Sequence, residues 1–590
     1  MSLDIARLIA FSGLSATQVK ISVASSNISN ADTTGYTEKT ATQSSTVTAG
    51  VGTGVSVTGI TSTVDKLLLK SLVGATSDLG SADTTNTYLT SLEKLYGSTS
   101  SSSSSSTGTS LADTLASLES ALSSLASTPS SASLQSNVVT ALDDVASQLR
   151  ETSSGIQKLR ANADQDISSS IKDVNKDLQQ IGDLNAEIKQ VAASGQSTAD
   201  LEDKRNTALQ DIASKMNVSY YTASNGDLQV STTTGQALVD VAVHTLSYST
   251  AANVTSSTVY SSGSSRGFSA VTVNGADITS QIAGGKIGAL ITLRDKTLPA
   301  AQSQLDQLAQ QLASALNSVS NSASSVPAPT SLTGTTSVTS STALSATGTV
   351  RVAVTDQSGT LVSYRDMDLS SYATVGDLVT GLNGVSGLSA SVDSNGHLSI
   401  TATGSGNGVA INGMTSSVGS SGKGFSQYFG LNDLVTGTGA ADVAVNSGIR
   451  SGSIGLPLST LDSSTTLTVG RQVLSSGSAT TVNNLYDTLT GSRSFGAAGG
   501  LAATTGSFAD YAAAVVSDVA SKSSQASQTY TATETAQSTY ASSLSSQSGV
   551  NLDEESARLS TLQNKYTAAS ALIQAINTMY SALLTAVKSG

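Results

Sequence analysis

The sequence predicts an α+β multidomain fold: terminal helices pairing as an α-helical coiled coil, a long helical-bundle rod domain, and inserted β-rich outer domains. Three observations carry it. Apolar residues recur every seven positions near the C-terminus, heptad-like runs fill 111–191 and return near 298–319, and two interior stretches alternate at period two around Asn-Gly pairs. With 590 residues there is chain enough for several cores.

In chain order, Phe11, Leu14, Ile21 and Ile28 fall on one side of an N-terminal helix, with Leu8, Val19 and Ala24 beside them. A cleaved secretory leader is not expected. Asp4 precedes Arg7, Ser12 and Gly13 interrupt the apolar run, and the helical spacing continues past any cleavage site.

Helical stretches follow at Leu111, Leu115, Leu118, Leu122 and Leu125, and from Val138 through Leu142, Val145 and Leu149 to Ile156 and Leu159. Another runs from Ile167 to Ile188. Residues 216–279 alternate, and Asn225-Gly226 predicts a type I′ hairpin between Val218, Tyr220 and Leu228, Val230. After the helical pattern at Leu298–Val319, alternation resumes at Val350, Val352 and Val354, with a second hairpin at Asn395-Gly396. A Ser-rich connector at 98–106 and the Pro-containing stretch from Val326 punctuate these segments.

The C-terminal helix is the clearest. Leu552, Leu559, Tyr566, Ile573, Tyr580 and Val587 form one seam, and Leu562, Ala569, Ile576 and Leu583 the other. Asn551 caps the start in a box with Glu554, and Asp553 and Glu555 suit the positive end of the dipole. Expected units are therefore 1–60 with 546–590 as a terminal helical core, and 61–215, 285–325 and 502–545 as a helical rod. A small β insertion at 216–284 and a β-rich outer domain at 326–501 complete the layout.

Composition argues against chemistry. Without cysteine there is no disulfide, thiolate nucleophile or thiolate-bound metal. Net charge is −13 with the signs interspersed, so no basic stripe exists to track phosphates and nucleic acid is not an expected partner. No run of 18 apolar residues occurs, so membrane insertion is not expected either. The two histidines, His244 and His397, lack ligand-type neighbours and read as ordinary strand residues. The glycine-rich stretches at 50–54 and 404–408 do not complete a dinucleotide fingerprint, and Gly422-Lys423 lacks the flanking residues of a phosphate loop. Asp393-Ser-Asn-Gly396 lacks the remaining ligands of a calcium loop. Adjacent acids such as Asp143-Asp144 suit a solvated helix face. No catalytic residue, metal site or cofactor is expected.

What remains distinctive is the segment after the first helix. Ser12-Gly-Leu14, then Ser26-Asn-Ile-Ser-Asn30, then Thr34-Gly-Tyr-Thr37 is similar to the N-terminal signature of the flagellar rod, hook and hook-associated protein family. Its signature residues here are Asn27, Asn30, Gly35 and Tyr36. At the other end Ser548-Gly-Val-Asn-Leu-Asp-Glu-Glu555, including Asn551, Asp553 and Glu554, resembles the family's C-terminal signature. The stretches Gly424–Asp433 and Thr374–Leu378 are weaker, supporting matches.

The resemblance implies a non-enzymatic, extracellular subunit at the hook-filament junction of a bacterial flagellum, exported by the type III route without a cleaved signal. Implied partners are like subunits in a ring, hook protein, hook-associated protein 3, the flagellar type III export apparatus and a cytoplasmic chaperone at the C-terminal helix. Other readings are a hook-type or filament-type axial protein, or an extracellular adhesin on a helical stalk.

The physics of the ends is independent of that resemblance. Burying each seam side chain contributes about 1.5–3 kcal/mol, against roughly 1–2 kcal/mol per residue for ordering backbone. An intramolecular pair alone is marginal, so ordering of the ends is expected to accompany assembly. The expected contacts are Phe11, Leu14, Ile21 and Ile28 with Leu552, Leu559, Leu562, Tyr566, Ile573, Ile576, Tyr580 and Leu583.

Overall fold

A computed structural model describes residues 3–48, 50–97, 110–262 and 267–589. The expected connector at 98–106 lies outside them. Helix α1 (Leu3–Asn30) ends where the signature begins to turn. The chain then runs out along β1 (Lys39–Thr48) and back along β2 (Val51–Ser62), antiparallel, from Lys39 opposite Ser62 to Thr48 opposite Val51. The unit expected to be helical over 1–60 is thus a helix followed by a ribbon. Thr and Val dominate this stretch without an apolar stripe, and hydroxyls pair across the strands, Thr42 with Thr58 at 3.1 Å and Ser44 with Ser56 at 3.5 Å.

The helical body follows as α2 (Lys66–Leu95), α3 (Leu111–Ser127), α4 (Ala132–Ala193) and α5 (Ala199–Lys215). The five leucines of α3 and the α4 series from Val138 to Ile181 are buried in one core. The two α4 runs, read separately in the sequence, form one 62-residue helix. Ile156 and Ile167 stand eleven residues apart, close to three turns, so the stripe stays in phase. Gly155 does not break it; the space its Cβ would fill holds the Leu95 side chain, 2.7 Å away.

The small β insertion comprises β3 (Val218–Thr222), β4 (Leu228–Thr232) and β5 (Ala237–Val239) in one sheet. A second sheet holds β6 (Leu246–Ser247), β7 (Thr272–Val273) and β8 (Ala276–Asp277). The β3–β4 connection corrects the expected two-residue turn. Thr222 pairs with Leu228, and the Ala223 amide donates to the Asp227 carbonyl at 2.8 Å. Gly226 alone takes positive φ, +87°. A type I′ turn needs two such residues; one left-handed glycine after a tight turn makes the longer hairpin. His244 falls in the loop after β5 rather than in a strand, with Nε2 3.1 Å from Asp240 Oδ1.

A π-helical turn, Leu293–Thr297, joins α6 (Gly285–Thr292) to α7 (Leu298–Ser320). Beyond it lie β9 (Ser331–Ser337), β10 (Ala346–Thr347), β11 (Thr349–Thr355), β12 (Leu361–Asp368), α8 (Val375–Asn383), β13 (Leu388–Val392), β14 (His397–Ala402) and β15 (Gly408–Asn412). Sheets β12-β11-β15 and β13-β14-β9 enclose a core of their own with Phe425 and Phe429. The expected Asn395-Gly396 hairpin has the same longer connection: Val392 pairs with Leu398 and only Gly396 is left-handed, at +82°. Between the alternating Val350, Val352 and Val354, Arg351 and Ala353 are also buried. The Arg351 guanidinium is held by both Asp366 oxygens, at 2.6 and 2.7 Å, and by the carbonyls of Asp462 and Ser464.

The last part of the expected 326–501 unit returns to the helical body. Leu434, Val443 and, from α11 (Ala479–Thr490), Val482, Leu485 and Leu489 pack in the first core; α9 (Phe425–Phe429) and α10 (Ser447–Arg450) are short turns on the way. Helix α12 (Phe508–Ser548) starts in a Ser507–Asp510 capping box and packs along α2. After Gly549, α13 (Leu552–Ser589) runs back against α1.

Candidate assembly interface

The two ends of the chain meet at the signature segment. The Asn27 side chain is fully buried and makes three bonds. Its Nδ2 donates to the Lys39 carbonyl at 2.9 Å, and its Oδ1 accepts from the Lys39 amide at 3.0 Å and the Tyr36 hydroxyl at 2.9 Å. One side chain thus fastens the end of α1 to the start of β1. Gly35 takes φ +79°, and a Cβ there would meet Thr207 Oγ1 at 2.5 Å, so the turn lies directly on α5. Asp203 of α5 accepts from the Thr37 amide at 3.0 Å and its hydroxyl at 2.7 Å, and also pairs with the buried Lys39 ammonium. Lys39 lies 3.6 Å from the Tyr36 ring centroid and 3.3 Å from Asp200 Oδ1.

The C-terminal signature enters the same junction. The Ser548 carbonyl accepts from the Glu38 amide at 2.8 Å, and the Ser548 hydroxyl accepts from the Asp65 amide at 3.3 Å. Asn551 Oδ1 caps α13 by accepting from Asp553 and Glu554 amides at 3.0 and 3.3 Å. Arg558 bridges Glu38 at 2.9 Å and the buried Glu555 at 2.8 Å. Burial, then Asp200, Asp203 and Glu555, push the Tyr36 hydroxyl up to about 12. Burial and Glu555 raise the Glu38 carboxyl despite Arg558.

From this anchor α1 and α13 run together, and at the far end the Tyr580 hydroxyl donates to Asp4 while Arg7 stands 5.8 Å from the Tyr580 ring. Of the C-terminal seam residues, Leu562 and Ile576 are buried. Leu559, Ile573 and Tyr580 are half-buried; Leu552, Tyr566 and Leu583 are exposed. On α1 the buried apolar positions are Ala10, Ala16 and Ala24, whereas Leu14, Ile21 and Ile28 are half-buried and Phe11 is 64% exposed. Alanines thus supply the fully buried apolar positions of α1, with Leu14, Ile21 and Ile28 half-buried beside them. Against the ribbon α1 approaches closely: Ser12 Oγ accepts from the Val55 amide at 3.1 Å and occupies the space a Cβ on Gly54 would need.

More than half of the large apolar side chains exposed among the described residues lie on α1, the ribbon and α13. They include Leu8, Leu572, Met579, Leu584 and Val587. Asn30 is half-buried and Gly35, Asn551, Asp553 and Glu554 are exposed, so of the signature positions Asn27 and Tyr36 carry the junction from the inside. Lys39, Asp203 and Arg558 were not singled out in the sequence, and Glu555 was read there only as suiting the helix dipole and closing the signature. Charges on predicted helices and strands read as solvated, and their partners lie far along the chain. Among the described residues no group of three His, Asp or Glu is placed to hold a metal ion. One 18-residue window within 508–588 is apolar enough, by length and composition alone, to cross a membrane.

Known families match both ends of the chain and the helical domain. The model described as flagellar hook-associated protein FlgK helical domain matches 97–326. That of the flagella basal body rod protein matches 8–37, and that of the flagellar basal body rod FlgEFG protein C-terminal matches 541–586. The flagellar hook-associated protein 1 of Salmonella typhimurium is 24% identical over 318 residues, 52% of this chain and 55% of that protein. Its Escherichia coli counterpart is 25% identical over 323 residues with the same coverage. The match spans about half the length of these relatives. The structure of the flagellar hook junction protein FlgK from Burkholderia pseudomallei aligns over 80% of this chain and 98% of that one, with TM-score 0.46 and 17% identity. With an axial-protein motif at each end of a FlgK-type helical domain, the chain is similar to flagellar rod, hook and hook-associated proteins.

Proposed function

We propose that the chain is a non-enzymatic structural subunit of the hook-filament junction, adapting the hook to the filament outside the cell. The observation that carries this reading is the exposed apolar surface of the α1–α13 pair, anchored through Asn27 and Asp203 to a helical domain of the FlgK kind. Such a surface is covered when neighbouring subunits pack beside it, and its burial offsets the cost of ordering the helices.

In this reading α1 and α13 form a coiled-coil pair whose free ends order fully on assembly, while the junction at 26–39 and 548–558 is tied down by hydrogen bonds from the start. Units 1–60 with 546–590 form the axial core. The rod comprises 61–215, 285–325 and 502–545, with the small β insertion at 216–284 and the outer domain at 326–501. Partners are a ring of like subunits, hook protein on one side and hook-associated protein 3 on the other, reached after type III export with a chaperone on α13.

Removing 552–590 tests it: cells relying on the shortened chain are expected to release filament subunits without attaching filaments, while the helical body stays folded. Normal filament attachment by that chain would sink the reading.

A further inference from the structure

A cleft of about 240 Å³ opens between α1, β1 and α13, lined by Lys20, Lys39, Glu555, Arg558, Leu562 and Lys565. Its charges are unevenly matched. Lys39 is met by Asp203 and Asp200, and Arg558 by Glu38 and Glu555. Among the described residues neither Lys20 nor Lys565 has an ionic partner, although both line this cleft, one from each helix. Burial, Lys565 and Arg558 together depress the Lys20 ammonium, the mark of like charges crowded in one place.

The complementary charge stands on the same helix. Asp553 and Glu554, in the first turn of α13, are exposed and have no ionic partner among the described residues. About 17 Å of rigid helix separates Glu554 from Lys565, so a copy cannot fill its own cleft. In a head-to-tail ring of identical copies one surface meets a different surface of the next copy, so an acidic turn and a basic cleft on the same chain are the complementary pair such a contact needs.

We propose that the Lys20–Lys565 cleft receives the Asp553 and Glu554 carboxylates of a second copy of this chain. This rests on the reading that copies assemble through their paired terminal helices. The contact sets register: apolar faces alone slide, whereas a charge pair of fixed spacing admits one stagger.

The test uses full-length chains in cells lacking the wild-type copy, scored by attached filaments and by export of the variant. Lys20→Glu with Lys565→Glu, and separately Asp553→Lys with Glu554→Lys, are each expected to cut attachment about tenfold. Combining all four reversals is expected to restore it to within about twofold. Lys20→Ala with Lys565→Ala relieves the internal repulsion and is still expected to lower attachment, which separates docking from mispairing of α1 and α13. Wild-type attachment by the lysine reversals overturns the cleft's role, and an exported but inactive fourfold variant overturns the choice of occupant. Leu572→Ser with Leu583→Ser tests the underlying reading separately. If those changes abolish attachment while the lysine reversals do not, only the present inference fails.

Discussion

Replacing Asn27 by alanine removes three hydrogen bonds at a site with no solvent to replace them. The Lys39 amide and carbonyl, on a residue only 4% exposed, would both lose their partner, while the half-buried Tyr36 hydroxyl can turn toward water. Each orphaned buried backbone group costs about 1–3 kcal/mol, giving a total near 3 kcal/mol, or about a hundredfold in the equilibrium for opening the junction. Tyr36→Phe removes one bond and leaves Asn27 paired with the Lys39 amide, so its expected cost is about 1 kcal/mol. Native-state hydrogen exchange at the Lys39 amide in the full-length chain reads both. Exchange in Asn27→Ala within about twofold of wild type, or a Tyr36→Phe effect as large, would refute the claim that Asn27 is the fastener.

Three further outcomes follow from the same junction. Asp203→Ala leaves the Lys39 ammonium facing only the exposed Asp200 and frees the Thr37 amide; a loss of about 3–5 kcal/mol is expected by denaturant unfolding, and a change under 1 kcal/mol would mean α5 does not hold the turn. Gly35→Ala combines a left-handed backbone with a clash on Thr207, costing about 1–2 kcal/mol; adding Thr207→Ala should recover only the steric part, since the backbone strain at +79° remains, and full recovery would contradict that division. Because the folded Tyr36 pKa of about 12 lies above its ordinary 10.0, its contribution is fully present below pH 10 and is lost as pH rises through 12. The stability difference between wild type and Tyr36→Phe should shrink across that window, and a difference independent of pH would exclude the tyrosine as its source.

The rod helices were legible because their leucines and isoleucines bury at a constant helical phase, as in Leu111 to Leu125 and Ile167 to Ile188. The C-terminal seam was legible as a period but not as a burial pattern, since one chain offers α13 only α1 and leaves Leu552, Tyr566 and Leu583 outside. Asn27 and Tyr36 stood out in the signature, yet their partners did not: Thr37 reaches Asp203 across 166 residues, and no local spacing encodes that. The ribbon at 39–62 was missed because hydroxyls rather than apolar side chains pair across it. Arg351 was hidden inside an alternating pattern, its burial made possible by Asp366 and by two carbonyls about 110 residues away.

The central claim is that neighbours cover the free face of the α1–α13 pair. Amide exchange across 3–20 and 566–588 tests it most directly, comparing the isolated full-length chain with the chain incorporated into the flagellar axis. The account predicts rapid exchange in the isolated chain and slowing by about a hundredfold or more on incorporation, with α4 unchanged. Protection of these segments in the isolated chain equal to that of α4, and unaltered by incorporation, would contradict it.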